Sequence, residues 1–306
     1  MSFNPFMSPL AELYLFMNGS RHLYRQIPPF PRSLLLRPTQ LPPGETIPRI
    51  EVESSQLCVQ QKQLHAFEKV CGYPVQDKEG LPVSFIQILA GNLFPDIFHH
   101  ESFPLRPTGL IHIKQTIRML RTISRWETLK IVCTTEGHRN VRKGVEFDIH
   151  ATIFCGSEQV WNSTTTFLSR SDYQTNPLRV VNPVIQGVLK QRAWDVPENA
   201  GRRFAALSGD FNLIHLHARV SRFFGFENPI AHGVWSISRC LGDSLELLPE
   251  PPLQLDIRFK KPLFLPGKAT LFVSGNMQNL NYEVRSPDGK TTFLTAQLKA
   301  LTARGT

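Results

Sequence analysis

The same order of elements occurs twice along this 306-residue chain, and that repeat limits the possible folds more than any other feature of the sequence. Each copy opens with a helical stretch: Gln56 to Cys71, stopped by Gly72, and Glu198 to Leu207, stopped near Gly209. A second helical stretch follows, Val83 to Phe94 after Pro82 and Val234 to Leu247 before Pro249. Strand-like segments complete each copy. In the first they are Leu110 to Ile117, Thr128 to Thr134, Val145 to Phe154 and Gln159 to Leu168; in the second, Leu253 to Phe259, Ala269 to Ser274, Asn281 to Ser286 and Thr291 to Leu301. Cys155-Gly156-Ser157 and Pro287-Asp288-Gly289 read as hairpin turns. Helices followed by antiparallel strands, twice over, predict an α+β duplication.

The copies can be laid residue on residue around the first helix, where Phe67 meets Phe204 and Gly72 meets Gly209. On this register Asp210, Asn212 and His215 stand opposite Tyr73, Val75 and Lys78, so the polar trio belongs to the second copy alone.

Ahead of the repeat, nine of the 24 prolines fall within the first 48 residues, and proline blocks helix interiors and central strands, so an extended arm or cover is expected there. Its apolar residues, Leu13 to Phe16 and Leu34 to Leu36 among them, predict an arm that packs on the body. No apolar run approaches the roughly 20 residues of a spanning helix. The formal charge of +9 is diffuse: residues 196–306 hold 13 Lys+Arg against 9 Asp+Glu, and the rest of the chain 21 against 16. Such a field argues against nucleic acid and suits an anionic small molecule or an acidic carrier protein. Five cysteines without a C-x-x-C pair predict free thiols in a reducing compartment, and the cytoplasm is the expected location. The N-terminus lacks the features of a secretory signal, although its arginines leave organelle targeting open.

Three of the ten histidines, His215, His217 and His232, lie within 18 residues, next to Ser208-Gly209-Asp210-Phe211-Asn212-Leu213-Ile214-His215. If the chain turns after Gly209, the acid, amide and imidazole of D-x-N-x-x-H can converge on one water molecule. Asp supplies a base, His a second proton-handling group and Asn a fixed hydrogen bond. The bland alternative is that Ser208, Asp210 and Asn212 cap a turn around an ordinary histidine. Pro229-Ile230-Ala231-His232-Gly233, opening the next helix, favours the chemical reading, because a glycine at a helix start exposes N–H groups that can hold an oxyanion.

The stretch Phe204 to His215, followed by Gly225-Phe226 and Ile230-Ala231-His232-Gly233, resembles the hydratase motif of the MaoC-like dehydratases, a family that includes (R)-specific enoyl-CoA hydratases. The motif covers about 30 residues, and the repeated layout extends the likeness over most of residues 50–306. The resemblance implies a double hot-dog, with two antiparallel sheets each wrapped around a long central helix and the two halves paired as an internal dimer. Residues 1–48 would be the arm, 49–175 a degenerate hot-dog domain that shapes an acyl pocket, and 176–306 the catalytic domain.

The resemblance further implies reversible hydration of trans-2-enoyl thioesters to 3-hydroxyacyl thioesters, of CoA or acyl carrier protein, in fatty-acid metabolism. Asp210 and His215 would activate water, Asn212 would support them, and the Gly233 amide would polarise the thioester carbonyl. No cofactor or metal is implied, and a homodimer is open. Leu213 stands where the family often has proline and His217 where it often has aspartate, departures that bear on subfamily and substrate.

Two rival functions remain, a hot-dog acyl thioesterase and a non-catalytic acyl-binding subunit. His217 and the pair His99-His100 are expected to be structural. Gly242-Asp243-Ser244-Leu245 spells a lipase nucleophile motif inside a predicted helix, where that chemistry does not fit. Dinucleotide and P-loop signatures are absent from the sequence.

Overall fold

A computed structural model describes residues 32–74, 80–170 and 184–302. Its elements run α1 (Arg32–Leu36), β1 (Ile50–Cys58), α2 (Gln61–Cys71), α3 (Val83–Gly91), α4 (Phe94–His99), β2 (Ile111–Met119), β3 (Thr128–Thr135), β4 (Arg139–Val141), β5 (Gly144–Cys155) and β6 (Glu158–Arg170) in the first half. The second half holds β7 (Val188–Val196), α5 (Ala200–Ser208), α6 (Ala218–Phe223), α7 (Gly233–Gly242), β8 (Leu253–Phe259), β9 (Gly267–Asn276), β10 (Asn279–Arg285) and β11 (Thr292–Ala300).

The strands form one antiparallel sheet in the order β1-β3-β5-β6-β2-β8-β11-β10-β9-β7, with β4 paired to β5. Read outward from the β2–β8 seam, the two wings match strand for strand, which is the duplication expressed as topology. The expected pair of separate sheets is thus corrected to one continuous sheet. Its halves join where Lys114 faces Arg258 and Met119 faces Leu253. Side chains reinforce the seam, with Thr116 Oγ1 donating to Asp256 Oδ1 at 2.8 Å and Arg118 Nε to Gln254 Oε1 at 2.8 Å.

Each wing curls around short helices. From Val83 to Ala90 every residue of α3 is buried, as expected of a helix hydrophobic on all sides. Its counterpart α7 buries Trp235, Ile237, Cys240 and Leu241. The expected long helix over Val234 to Leu247 stops at Gly242, whose Cα lies so close to the Tyr73 ring that an added Cβ would sit 2.8 Å from it. Leu245–Leu247 continues only as a 3₁₀ turn.

The expected helix from Gln56 begins at Gln61 instead, and Ile50–Cys58 is an edge strand. A bulge between Ser54 and Leu57, with Gln56 at φ 57°, breaks the period-2 pattern there. The opposite edge strand, β7, has no counterpart among the predicted elements. The repeat register holds in three dimensions: α2 and α5 both end in left-handed glycines, Gly72 at φ 73° and Gly209 at φ 71°, and Phe67 and Phe204 are both buried. Tyr73 is buried beside the Ser84 hydroxyl, whereas Val75 and Lys78 lie outside the described residues.

Part of the proline-rich arm, residues 32–48, lies against the body, with Leu34, Leu35 and Ile47 buried. Arg37 donates to the carbonyls of Phe98 and His100 at the end of α4. The arm's first 31 residues lie outside the described set. No helix among the described residues is long and apolar enough to cross a membrane.

Candidate active site

Gly209 ends α5 in the left-handed conformation and turns the chain back toward α7. The turn is braced locally. Ser208 Oγ donates to the Phe204 carbonyl at 2.8 Å and accepts the Asp210 N–H at 3.2 Å. Asp210 Oδ1 accepts the Asn212 N–H at 3.1 Å, and Leu213–His215 form a 3₁₀ turn. The turn sits tightly on α5, since a Cβ at Gly201 would lie 2.1 Å from the His215 carbonyl oxygen.

Asp210, His215 and His232 converge so that one ligand-capable atom from each lies within 4.8 Å of the others. The His215 and His232 rings stack at 3.7 Å. His215 Nδ1 donates to the Ile230 carbonyl at 2.8 Å, which fixes the tautomer and leaves Nε2 as a lone pair. His232 Nε2 donates to the Asp210 carbonyl at 3.0 Å and stands 3.8 Å from Oδ2 of the same residue. His232 Nδ1 is buried with no partner among the described residues, and the ring is held neutral.

Burial is the largest influence on all three. It pushes His232 down to about 3, with the His215 ring adding to the fall and Asp210 resisting it. His215 is likewise lowered by burial, against the pull of Asp210. For Asp210 burial acts upward, but His232, His215 and the Asn212 N–H outweigh it, and the carboxyl stays below its ordinary value. The Asp210 side chain is 53% exposed, but it opens into a protein-walled cavity, so desolvation still acts on it. At neutral pH the site therefore holds a carboxylate next to a neutral imidazole with a free nitrogen, which are two proton acceptors around one space.

Asn212 crosses to the first half, where its Nδ2 donates to the Leu110 carbonyl at 3.1 Å; its Oδ1 is buried with no partner among the described residues. Gly233 is the first residue of α7, and its N–H has no acceptor within the helix. Its Cα lies against Phe259, such that a Cβ would stand 2.7 Å from the ring. All four residues singled out from the sequence, Asp210, Asn212, His215 and Gly233, line one cavity of about 930 Å³, a size ordinary for a small-molecule site.

The first half builds much of that cavity. Ile88, Phe94, Phe98, Leu110, Phe167 and Leu168 make an apolar wall, with Phe98 and Phe167 edge to face at 5.4 Å. The rim carries Lys114, Arg142, Lys143, Arg258, Lys260 and Lys261, and among the described residues the acids lining the cavity are Glu146 and Asp210. His112, on β2, also lines it. Burial pushes His112 down to about 4, and both Asp210 and His215 act on it electrostatically. Sequence reasoning missed His112, because it lies 98 positions before Asp210 and outside the motif.

Other sequence candidates resolve plainly. His217 caps α6, accepting the Arg219 N–H on Nδ1 at 3.2 Å. Ser244 is fully buried, donating to the Cys240 carbonyl and within hydrogen-bond distance of the Tyr282 hydroxyl, so it offers no nucleophile. His99 ends α4 and lines the cavity, and His100 accepts the Ser102 N–H. All five cysteines are free thiols.

Comparison with known proteins bears on the domain and the fold. Residues 179–283 match the family model described as MaoC like domain. The 3-hydroxyacyl-thioester dehydratase X of Mycobacterium tuberculosis (strain ATCC 25618 / H37Rv) is 24% identical over 268 residues, covering 85% of this chain and 93% of that protein. A crystal structure of HtdX from Mycobacterium tuberculosis superposes with a TM-score of 0.72 at 23% identity, over 82% of this chain and all of that one. A MaoC-like dehydratase from Phytophthora Capsici superposes at 0.61 with 15% identity, over 84% and 97%. The second half of the chain thus carries a MaoC-like domain, set within the hot-dog fold of the MaoC-like dehydratases.

Proposed function

We propose that this chain is a hydro-lyase that interconverts trans-2-enoyl and 3-hydroxyacyl thioesters by adding or removing water. One observation carries the reading: Asp210 and His215, whose ligand-capable atoms lie within 4.8 Å of each other, line the same cavity as Gly233, the residue that starts α7. The dehydratase activity named for the Mycobacterium tuberculosis relative supports it.

In the hydration direction Asp210 and His215 hold a water molecule between them, and Asn212, anchored on Leu110, keeps the turn in place. Water oxygen bonds to C3 as the C2–C3 double bond opens. One water proton passes to the Asp210–His215 pair, and the pair returns a proton to C2. Negative charge that builds on the thioester oxygen during attack is met by the Gly233 N–H and the positive end of α7. Asp210 and His215 act as a coupled pair, so base and acid roles are assigned to the pair.

The domains divide the work. Residues 176–306 supply the acid–base groups. Residues 49–175, with Tyr73 buried where Asp210 stands in the other half, supply the apolar wall for the acyl chain. Of the arm, residues 1–48, the described part from 32 to 48 serves as a cover. The cationic rim suits the phosphates of a CoA or carrier-protein thioester, and a fatty acyl chain suits the phenylalanine-lined wall.

The test is to incubate the purified protein with trans-2-enoyl-CoA thioesters of several lengths and their carrier-protein counterparts. Loss of the conjugated enoyl absorbance is followed together with thiol release. Absorbance loss without thiol release is expected. Thiol release at the same rate would replace the hydratase with a thioesterase, and binding without either change would make the chain an acyl-binding subunit.

A further inference from the structure

His112 belongs to the half of the chain that lost the acid–base groups, yet it stands inside the site of the other half. Its Nε2 lies 3.1 Å from the Lys114 carbonyl. A carbonyl only accepts, so Nε2 carries the proton and Nδ1 is a lone pair with no protein partner among the described residues. The ring is wedged edge to face against Phe259 at 4.7 Å and tilted against Phe167 at 5.5 Å, which fixes its plane. A bulge between His112 and Lys114 displaces the ring from the regular β2–β6 ladder. Burial holds it neutral, so at physiological pH it offers an acceptor and no positive charge.

Its position narrows what it can accept from. On one side it feels Asp210 and His215, and its neighbour Phe259 covers the Gly233 Cα. On the other, Lys114 and Arg258 pair across the seam at the cationic rim. His112 thus lines the same cavity as the acid–base pair and the cationic residues Lys114 and Arg258, and the thiol arm of a CoA or carrier-protein substrate must span that cavity. The enoyl group and the thioester carry no hydrogen-bond donor. The first donor beyond the sulfur is the amide N–H two carbons along that arm.

We propose that His112 Nδ1 accepts a hydrogen bond from this thiol-arm amide N–H, making His112 a specificity residue supplied by the degenerate half. The assignment rests on the thioester reading of the site. It also gives that half a polar recognition role in addition to its apolar wall.

The experiment pairs two short substrates, crotonyl-N-acetylcysteamine and the analogue in which an ester oxygen replaces the amide N–H, with wild type, His112→Phe and His112→Gln. Phe keeps the ring contacts and removes the acceptor, while Gln restores an acceptor. A neutral hydrogen bond of ordinary strength predicts that wild type favours the amide by about 3- to 10-fold in kcat/KM, mainly through KM. The preference should fall to about one in His112→Phe and recover in part in His112→Gln. Equal use of both substrates by wild type, or an undiminished preference in His112→Phe, overturns the proposal. A purely structural role would slow both substrates alike and leave the ratio unchanged, which also overturns it. Failure of the hydratase reading is recognised separately, as turnover of neither substrate. In that event binding of the saturated butanoyl pair is followed by the imidazole nitrogen shift of His112 in labelled protein, assigned by its loss in His112→Phe. A shift specific to the amide compound upholds the contact, and identical shifts overturn it.

Discussion

A methyl group at position 233 tests how the helix start and the sheet together form the oxyanion site. In Gly233→Ala the new Cβ would lie 2.7 Å from both Cε1 and Cζ of Phe259 and 3.0 Å from Cδ1. Carbon atoms pack comfortably at about 3.5 to 4.0 Å, so the ring or the helix start must move by about 1 Å. Phe259 has little freedom to do so, since its ring also packs edge to face with His112 at 4.7 Å. Overpacking of this kind typically costs about 1 to 3 kcal/mol, and thermal unfolding should report it as a fall of several degrees. The backbone N–H survives, so the loss in kcat/KM should stay near 10-fold. Phe259→Ala in the same chain opens the space and should return much of the lost stability. In that relieved background Gly233→Pro removes the donor itself, at a first-turn position where proline is tolerated and after a residue, His232, whose ψ of 138° already suits one. The proline variant should then be about 10²- to 10³-fold slower than the alanine variant. Equal rates for the two in the Phe259→Ala background would refute an oxyanion role for this N–H, and an unperturbed Gly233→Ala protein would refute the packing argument.

Gly201→Ala should destabilise the fold and slow hydration together, because its Cβ would overlap the His215 carbonyl at 2.1 Å and push the turn off α5; thermal melts and initial rates check this. Both Asp210 and His215 are held below their ordinary values, so kcat/KM should be flat through neutrality with its acid limb below 6.5; a limb centred above 7 would contradict the charge state assigned to the site. For stability the sign follows from His232, which is near 3 when folded and near 6.5 when unfolded. Above 6.5 both states are neutral and the residue contributes no pH dependence; below it the unfolded chain takes up a proton that the folded chain excludes, and stability falls by at most about 1.4 kcal/mol per pH unit. Urea titrations at pH 7 and pH 5 measure the drop, which His232→Phe should lessen. Added salt should raise KM for CoA thioesters more than for crotonyl-N-acetylcysteamine, since only the former carries phosphates to the rim of Lys260, Lys261 and Arg258.

The parts of this site legible in the sequence are those written in one stretch. Gly209, Asp210, Asn212 and His215 are brought together by a single left-handed turn and a 3₁₀ turn, both local devices with local signals. Gly233 could be placed because it starts a helix. What escaped depends on contacts between distant segments. His112 enters only because β2 and β8 pair at the seam, and the tight seat of His215 on Gly201 is a matter of packing distance. The edge strands were hidden for a different reason. From Val188 to Ala193 β7 buries no residue and so lacks an alternating pattern until Trp194, and the bulge at Gln56 interrupts the pattern of β1. One continuous sheet in place of two follows from hydrogen bonds across the seam, which strand propensity does not encode.

The central claim is that Asp210 and His215 move the protons of a hydration reaction. Its most direct measurement is the rate at which Asp210→Asn, His215→Ala and the double variant consume a trans-2-enoyl thioester, with circular dichroism establishing that each is folded. Each single change should slow the reaction by about 10²- to 10⁴-fold. Because the two residues act as one unit, the double variant should be little slower than the worse single one. Near-normal turnover by a folded Asp210→Asn or His215→Ala protein would contradict the account.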